Sequence, residues 1–264
     1  MKIKHPKKSL GQNFLTDKNV ADIIVNIGDI KKNDTVLEVG PGTGNLTEKI
    51  LSKNPRKIFA IEKDKSLVKK LHERFREKII LINDDILKID EKKYSNDPMI
   101  VFGNLPYNIS TQILIKWIRY NNLNNTFKKF ILMFQKEVAE RIIAETHEKN
   151  YGRLAVISSW KLNIKKVTDV LPNSFYPIPK VKSTVLLIEP KNEYFNLKNM
   201  KNLEHITNIF FNQRRKMIKK PLNIIFKNVN EISKKLNINI NDRPQNLSSL
   251  KYFEICREYE NLGS

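Results

Sequence analysis

A tetrapeptide near the middle of the chain, Asn104-Leu105-Pro106-Tyr107, combines residue types that suit chemistry on an exocyclic amine. It follows an apolar run, residues 99–102, which we predict to be a buried strand. An adenine N6 amine donates its lone pair into the ring, so a site that alkylates it must draw the N–H protons out of the ring plane. The side-chain oxygen of Asn104 and the backbone carbonyl of Leu105 are acceptors that need no deprotonation, and Pro106 makes the turn rigid.

Tyr107 completes this group, because an aromatic ring can stack on an extruded base. The pattern resembles the Asn/Asp-Pro-Pro-Tyr box of amino-methyltransferases that act on adenine, with Leu105 in place of the first Pro. The alternative is a plain strand-to-helix turn, in which Ser110, or else Asn108, caps a helix that runs through Trp117. On the tetrapeptide alone, both interpretations stay open.

A glycine loop lies upstream, Gly40-Pro41-Gly42-Thr43-Gly44, between a β-branched run at 35–39 and a segment of helical spacing at 45–50. Glycines permit positive φ and let backbone N–H groups approach a ligand. Roughly twenty residues later a short strand ends in Glu62, the spacing at which an acidic residue meets a ribose hydroxyl pair. The pattern predicts a nucleoside cofactor.

The spacing within the loop indicates which cofactor this is. Gly44 is followed by Asn45, so the Gly-Lys-Ser/Thr of a phosphate loop is missing, and the third glycine comes one position early for a dinucleotide fingerprint. S-adenosylmethionine fits better, because it has an adenosine and no pyrophosphate. Asp84 and Asp85 follow a third apolar strand, and either could accept from the adenine amine. For Asp85, an acid in a plain turn is the alternative.

Strands and helices alternate over residues 20–146, which predicts a mostly parallel α/β sheet with helices on both faces, a Rossmann-like arrangement. The ligand should then lie at the carboxyl ends of the strands, where Gly40, Glu62, Asp85 and Asn104 would converge.

Two further strands, at 165–170 and 181–188, are expected to close the sheet as an antiparallel hairpin. Between them, the prolines of 175–180 predict a stiff loop rather than a strand. Composition changes near Pro190, and the pattern is helical from Phe195 onward. We therefore predict a catalytic domain at 1–192, with a basic N-terminal arm, and a small all-α domain at 193–264 that binds RNA.

The net charge of +20 indicates a polyanionic partner. A bias of the genome towards Lys codons is the alternative source of this excess. Against that alternative, the charge is concentrated in the arm at 1–10 and in the cluster Arg214, Arg215, Lys216 and Lys219, which we place on a helix.

Several classes of protein are not expected. A single cysteine excludes a disulfide framework, the four His lack a metal-ligand spacing, and no metal site is predicted. No apolar run approaches the length of a membrane span, and the basic start is not followed by an apolar signal segment. We expect a cytoplasmic protein and, by default, a monomer.

Nearly the whole chain resembles the bacterial KsgA-type small-subunit ribosomal RNA adenine dimethyltransferases. Six motifs carry the resemblance, in order: Ser-Leu-Gly-Gln-Asn-Phe-Leu at 9–15, Glu-Val-Gly-Pro-Gly-Thr-Gly at 38–44, Gly-Asn-Leu-Pro-Tyr-Asn-Ile-Ser at 103–110, Phe-Tyr-Pro-Ile-Pro-Lys at 175–180, Gln-Arg-Arg-Lys at 213–216 and Arg-Pro-Gln-Asn-Leu-Ser at 243–248. The resemblance implies an S-adenosylmethionine-dependent methyltransferase fold with a C-terminal helical domain.

The resemblance also implies a role for individual residues. Asn13 and Leu15 would fold over the cofactor, and Asn104 would border the transferred methyl. Phe175 would face Tyr107 across the target base, although a hydrophobic loop anchor is the alternative for Phe175. The remaining implied contacts are of Gly40 with the methionine part, Glu62 with the ribose, Asp85 with the adenine, and residues 213–216 with RNA.

The implied activity is dimethylation of N6 on two adjacent adenines in the 3′-terminal hairpin of small-subunit (16S) rRNA, inside a pre-30S particle. Two other functions stay open. One is an antibiotic-resistance methylase of large-subunit rRNA, which shares the glycine loop and the Asn-Leu/Ile-Pro-Tyr box. The other is a largely non-catalytic RNA-binding assembly factor.

Overall fold

The structure is a computed structural model that describes residues 6–7 and 10–262. Most of the predicted basic arm, and Ser9 of the first motif, lie outside these residues. The chain divides into two compact units. The first comprises Met1–Ala139 and Asn163–Pro190, and the second comprises Glu140–Leu162 and Lys191–Ser264.

The main sheet is built from seven of the strands that the structure describes: β2 (Thr35–Val39), β3 (Lys57–Ile61), β4 (Ile80–Ile82), β5 (Met99–Asn104), β6 (Phe127–Gln135), β7 (Leu162–Val170) and β9 (Ser183–Pro190). Their order across the sheet is β4-β3-β2-β5-β6-β9-β7. The neighbours from β4 to β6 pair in parallel, and β9 runs antiparallel to β6. The predicted parallel α/β sheet is confirmed.

The helices of the first unit follow its strands. They are α1 (Lys18–Ile27), α2 (Asn45–Leu51), α3 (Lys65–Phe75), α4 (Ser110–Ile118), α5 (Leu123–Thr126) and the start of α6 (Lys136–Ile143). All five residues of β2 are buried, as expected of a parallel strand covered on both faces. α1 begins after Asp17, whose carboxylate accepts from the N–H groups of Asn19 and Val20. Its apolar face then packs into the core.

One part of the predicted proline loop is a strand. Phe175–Tyr176 forms β8, which pairs antiparallel with β1 (Phe14–Leu15) in a separate two-stranded sheet. The prolines begin only at Pro177, so both residues before it keep the backbone N–H groups that a ladder needs. The loop prediction was therefore wrong for residues 175–176.

The second unit is helical. Beyond the end of α6, its described helices are α7 (Arg153–Lys161), α8 (Met200–Phe211), α9 (Lys219–Ile225), α10 (Val229–Leu236) and α11 (Ser249–Asn261). The division differs from the boundary expected at 192, because residues 140–162 group with the C-terminal helices. Tyr151 shows why: its hydroxyl donates to the carbonyl of Leu247 at 3.0 Å, and its ring packs edge-on against Phe211. The helix α7 was not predicted.

Among the helices that the structure describes, none has both the length and the apolar character that crossing a membrane requires.

Candidate active site

A cleft of about 1070 Å³, partly open to solvent, lies at the carboxyl ends of β2, β3 and β5. The chain builds β3 and β4 on one side of β2 and then places β5 on the other, so β2 marks the switch point at which such sheets bind ligands. The cleft is lined by nine residues to which the sequence analysis assigned a role: Asn13, Leu15, Gly40, Glu62, Asp85, Asn104, Leu105, Pro106 and Tyr107.

The glycine loop after β2 keeps this cleft open. Gly40 and Gly42 have φ values of +69° and +59°, which residues with a Cβ rarely adopt. A Cβ on Gly42 would lie 2.8 Å from Cδ1 of Phe14, so a side chain there would displace the segment that covers the loop. A Cβ on Gly40 would point towards the carbonyl of Asn104, 3.7 Å away. The two glycines thus form a cradle in which a side chain at position 42 would collide with Phe14 and one at position 40 would point at the end of β5.

Glu62 joins the glycine loop to the end of β3. Its Oε2 accepts from the N–H of Gly42 at 3.3 Å, and its Oε1 accepts from the N–H of Asp64 at 2.8 Å. Burial raises the pKa of this carboxyl, although the two N–H donors oppose that shift. Each oxygen of a carboxylate has a second acceptor position, so Glu62 can still receive hydroxyl donors from a ribose.

Asp85 lies at the far side of the cleft, after β4. Burial alone would raise its pKa, but the ammonium of Lys63 at 2.9 Å and the N–H of Leu87 outweigh burial and lower it. Asp85 is therefore a charged acceptor, which suits a contact to an adenine amine. Asp84 also lines the cleft and accepts from the N–H of Asp85.

Glu38 in β2 is a fourth acid on the cleft, and the sequence analysis gave it no role. Its side chain is 1% exposed, and its Oε2 has no hydrogen-bond partner among the described residues. Burial raises its pKa to about 7, and the nearby carboxylate of Glu62 adds to the shift. The sequence did offer one signal for this residue, because Glu38 is the single acidic residue in a run, 35–39, that predicts a buried strand.

The segment before α1 borders the cleft and is held there by amide side chains. Nδ2 of Asn104 donates to the carbonyl of Asn13 at 2.7 Å, and Nδ2 of Asn45 donates to the carbonyl of Leu15 at 2.7 Å. The structure therefore brings Asn13 and Leu15 to the place that the resemblance implied. Their contact with a cofactor stays a prediction.

Asp64 anchors the same segment further upstream, a role that sequence reasoning missed. Its two oxygens receive Nζ of Lys7 at 2.9 Å and Nε2 of Gln12 at 3.0 Å, and Oδ1 also caps α3 through the N–H of Ser66. Burial would raise its pKa, but the donors from Lys7, Ser66 and Gln12 lower it well below the usual range. The N-cap position before α3 was visible in the sequence, whereas the long-range partners were not.

In the tetrapeptide at the end of β5, the amide side chain of Asn104 is held in one orientation. Because Nδ2 of Asn104 is bound to Asn13, the orientation of the amide is set and Oδ1 remains available as an acceptor. The hydroxyl groups of Tyr107 and Ser183 are hydrogen-bonded at 2.6 Å, which holds the half-buried ring at the rim. Burial raises the pKa of Tyr107, so its hydroxyl stays protonated.

The capping residue proposed for the following helix was wrong. α4 begins at Ser110, its N-cap is Ile109, and neither Ser110 nor Asn108 caps it through a side chain. The Ser110 hydroxyl donates back to the carbonyl of Tyr107 at 3.3 Å instead, so it stabilises the turn that carries the tetrapeptide.

Phe175 is not part of the cleft. It pairs with Leu15 across the β1–β8 ladder, its side chain is 2% exposed, and it belongs to the hydrophobic core beside the sheet. Successive side chains of a strand point to opposite faces, so the core takes Phe175 while Tyr176 is exposed. The structure therefore favours the hydrophobic anchor for Phe175 over a ring that faces Tyr107.

The cationic cluster is not on one continuous helix: Arg214, Arg215 and Lys216 lie in a turn after α8, and Lys219 is the first residue of α9. We call this turn, together with Lys219, the basic turn. α8 ends at Phe211, and α9 begins only at Lys219. A continuous helix is excluded because Pro221 lacks an N–H and would clash with the preceding turn, whereas a proline is tolerated in the first turn of a new helix. Arg214 donates to the carbonyl of Lys149, while Arg215, Lys216 and Lys219 are exposed.

The sequence profile of the family described as ribosomal RNA adenine dimethylase matches residues 3–261. The chain belongs to this family. The predicted resemblance, enzyme class and cofactor are thereby confirmed: it is an S-adenosylmethionine-dependent ribosomal RNA methyltransferase.

Curated relatives match the chain over nearly their whole length and carry names that fit this family. The chain is 56% identical over 256 residues to ribosomal RNA small subunit methyltransferase A of Pelagibacter ubique (strain HTCC1062), with 97% of each chain covered. It is 42% identical over 256 residues to the protein of the same name from Ehrlichia ruminantium (strain Gardel), with 96% of each covered.

Solved structures of adenine dimethylases and related enzymes share the fold. A dimethyladenosine transferase from Plasmodium falciparum superimposes with a TM-score of 0.79 at 26% identity, covering 95% of this chain and 98% of that one. The 23S rRNA methyltransferase ErmE superimposes with a TM-score of 0.68 at 23% identity, covering 93% and 99%. The likeness to ErmE concerns the fold alone.

Proposed function

We propose that this adenine dimethylase methylates N6 of two adjacent adenines in the 3′-terminal hairpin of small-subunit (16S) rRNA, within a pre-30S particle. The observation that carries the proposal is the convergence of Gly40, Glu62, Asp85 and Asn104 on one cleft, with an acceptor oxygen of Asn104 at its edge. The names of the curated relatives support the small subunit as the source of the RNA.

The residues of the cleft fit S-adenosylmethionine. The glycine cradle admits a ligand against the backbone, Glu62 has acceptor positions for ribose hydroxyls, and Asp85 is a charged acceptor for an adenine amine. The buried carboxyl of Glu38, with its orphaned oxygen, suits a cationic group such as an ammonium. When bound, this cofactor supplies an electrophilic methyl group on a sulfonium.

The tetrapeptide prepares the amine for reaction. Oδ1 of Asn104 and the carbonyl of Leu105 accept the two N–H groups of the target adenine, which draws them out of the ring plane and restores electron density on nitrogen. Tyr107 stacks on the base, and its hydrogen bond to Ser183 fixes the ring for that purpose. Both acceptors are neutral and preorganised, so positioning does most of the work.

RNA is held by phosphate contacts in this proposal. The exposed side chains of Arg215, Lys216 and Lys219 provide cations on the second unit, and Arg214 orders the turn through Lys149. We expect the enzyme to act as a monomer in the cytoplasm, where ribosomal particles form. Light scattering of the purified protein would test the monomer.

Labelled methyl transfer tests the proposal against its alternatives. Small subunits that lack the modification and large-subunit rRNA are incubated separately with the protein and labelled S-adenosylmethionine, and the modified nucleotides are mapped. We expect label on two adjacent adenines of the 3′-terminal hairpin. Label on large-subunit rRNA alone would favour a resistance methylase, and absence of label would favour an assembly factor.

A further inference from the structure

An exposed apolar loop follows β8. This rim loop, residues 177–182, has the sequence Pro-Ile-Pro-Lys-Val-Lys. Ile178 is 68% exposed and Val181 is 44% exposed, whereas the strands on either side bury most of their apolar side chains. Two large apolar side chains at such exposure, in a short segment beside a site, form a small apolar patch available for contact with another molecule.

The rim loop is tied to the cleft at both ends. Before it, Tyr176 pairs with Phe14, which lines the cleft. After it, Ser183 is hydrogen-bonded to Tyr107, which also lines the cleft. The carbonyl of Lys182 accepts from the N–H of Lys136 at 2.9 Å. The loop therefore stands at the rim of the cleft, next to the ring that we assign to base stacking.

The composition of the rim loop suits RNA rather than an apolar partner. Lys180 and Lys182 are exposed on either side of Val181, so cations that can meet phosphates alternate with apolar side chains. Pro177 and Pro179 lock φ on both sides of Ile178, so its side chain is carried on a stiff backbone. Nucleic-acid proteins use an apolar side chain held in this way to part stacked bases.

We propose that Ile178 is a substrate-positioning residue that inserts beside the target adenine and parts it from its stacked neighbour. The occupant of the rim loop is thus the RNA nucleotide adjacent to the target. The inference rests on the proposed function and deepens it. An adenine stacked in a hairpin must leave its stack before Asn104 and Leu105 can hold its amine, and Ile178 offsets the free energy lost on unstacking.

The test compares three variants on undermethylated small subunits. Ile178→Ser removes the apolar wedge, Ile178→Leu keeps it, and Ile23→Ser alters an isoleucine of α1 that is 47% exposed and does not line the cleft. We expect Ile178→Ser to lower kcat/KM for methyl transfer by roughly tenfold or more. Ile178→Leu should stay within about twofold of wild type because it keeps an apolar side chain of similar size, and Ile23→Ser should do so because an exposed substitution away from the rim changes little.

A second readout follows unstacking directly. With 2-aminopurine in place of a target adenine in the hairpin, wild type and Ile178→Leu should raise the fluorescence on binding, and Ile178→Ser should not. Equal rates and equal fluorescence for Ile178→Ser and wild type would overturn the wedge and leave the proposed function standing. Equal losses in Ile178→Ser and Ile178→Leu would overturn it too. A wild type that transfers no methyl group to the small subunit would overturn both.

Discussion

Glu38 and Glu62 give the cleft two buried carboxyls that differ in their partners. Glu62 is hydrogen-bonded to two backbone N–H groups, whereas an oxygen of Glu38 has no partner within the described part of the chain. Burial raises the pKa of both groups. Glu38 is thus a group whose ionisation costs the folded protein free energy, and a cationic ligand would offset that cost.

The pH dependence of stability tests the state of Glu38. Its pKa is raised from 4.5 to about 7 in the folded protein, so the folded state keeps the proton to higher pH than the unfolded state. Its contribution to stability is complete below the unfolded pKa, falls as pH rises towards the folded pKa, and is constant above it. Replacement of Glu38 by Gln, which does not titrate, removes this loss of stability with rising pH.

We expect Glu38→Gln to gain stability relative to wild type, by on the order of 2 kcal/mol, as pH rises from about 5 to about 8. Urea denaturation at several pH values measures the difference in the free energy of unfolding. Glu77→Gln removes one charge from an exposed position of the same unit and serves as the control. A constant difference between Glu38→Gln and wild type across this pH range would contradict the account.

Single residues could be predicted from sequence where they end a strand. Gly40, Glu62 and Asp85 come shortly after three consecutive strands and Asn104 ends the next one, and parallel strands bring their carboxyl ends to one edge. The remaining site residues depend on long-range contacts that no local pattern records. Asp64 receives donors from Lys7 and Gln12, and Phe175 turns into the core because of its register against Leu15.

At the scale of the elements, the residue before α3 has two functions. It caps the helix, and it holds the segment that covers the cleft. Asp64 caps this helix and also holds Lys7 and Gln12, and Gln12 belongs to the segment 10–15 that lines the cleft. Asp17 caps α1 in the same way, through the N–H groups of Asn19 and Val20, but its other oxygen accepts from the hydroxyl of Ser174 and not from the segment that covers the cleft. The two aspartates therefore form a matched pair.

Both caps should contribute to stability, but only one should contribute to cofactor binding. We expect Asp64→Ala and Asp17→Ala each to lower the free energy of unfolding by about 1 kcal/mol, the usual effect of losing an N-cap. Asp64→Ala should also weaken the affinity for S-adenosylmethionine, because the covering segment is then no longer held through Lys7 and Gln12. Calorimetric titration measures the affinity. Equal affinities of the two variants would show that this attachment does not hold the cofactor site.

Elements were predictable where hydrophobic periodicity was long. The alternation over residues 20–146 predicted the parallel sheet, because each buried strand and amphipathic helix carries its own period. The elements that were predicted wrongly are short, or their form depends on residues far away in the sequence. β8 is two residues long and pairs with β1, and Pro221 prevents α8 and α9 from forming one unbroken helix.

At the scale of the whole molecule, the protein has a net charge of +20 and two compact units. The first unit contains the cleft, and the second, helical unit contains the basic turn. The salt dependence of RNA binding tests whether the turn binds phosphates. Neutralising Arg215, Lys216 and Lys219 together should reduce the slope of log K against log salt concentration by about one for each RNA phosphate that these side chains neutralise in wild type.

Three other exposed lysines provide the control for this charge change. Lys32, Lys53 and Lys57 lie before or at the start of β2 and β3, at the opposite end of these strands from the cleft. Their neutralisation removes the same charge and should leave the slope nearer to that of wild type. Filter binding across a salt series measures both triple variants, and identical slopes would place the basic turn outside the RNA interface.

The central claim is that preorganised acceptors at the end of β5 activate the amine. Asn104→Ala removes the side-chain acceptor, and Asn104→Asp retains an acceptor oxygen at the same position. The single-turnover rate of methyl transfer at saturating S-adenosylmethionine, on undermethylated small subunits, measures the chemical step directly. We predict that Asn104→Ala lowers this rate on the order of a hundredfold or more, and that Asn104→Asp lowers it less. A rate for Asn104→Ala near that of wild type would contradict the account.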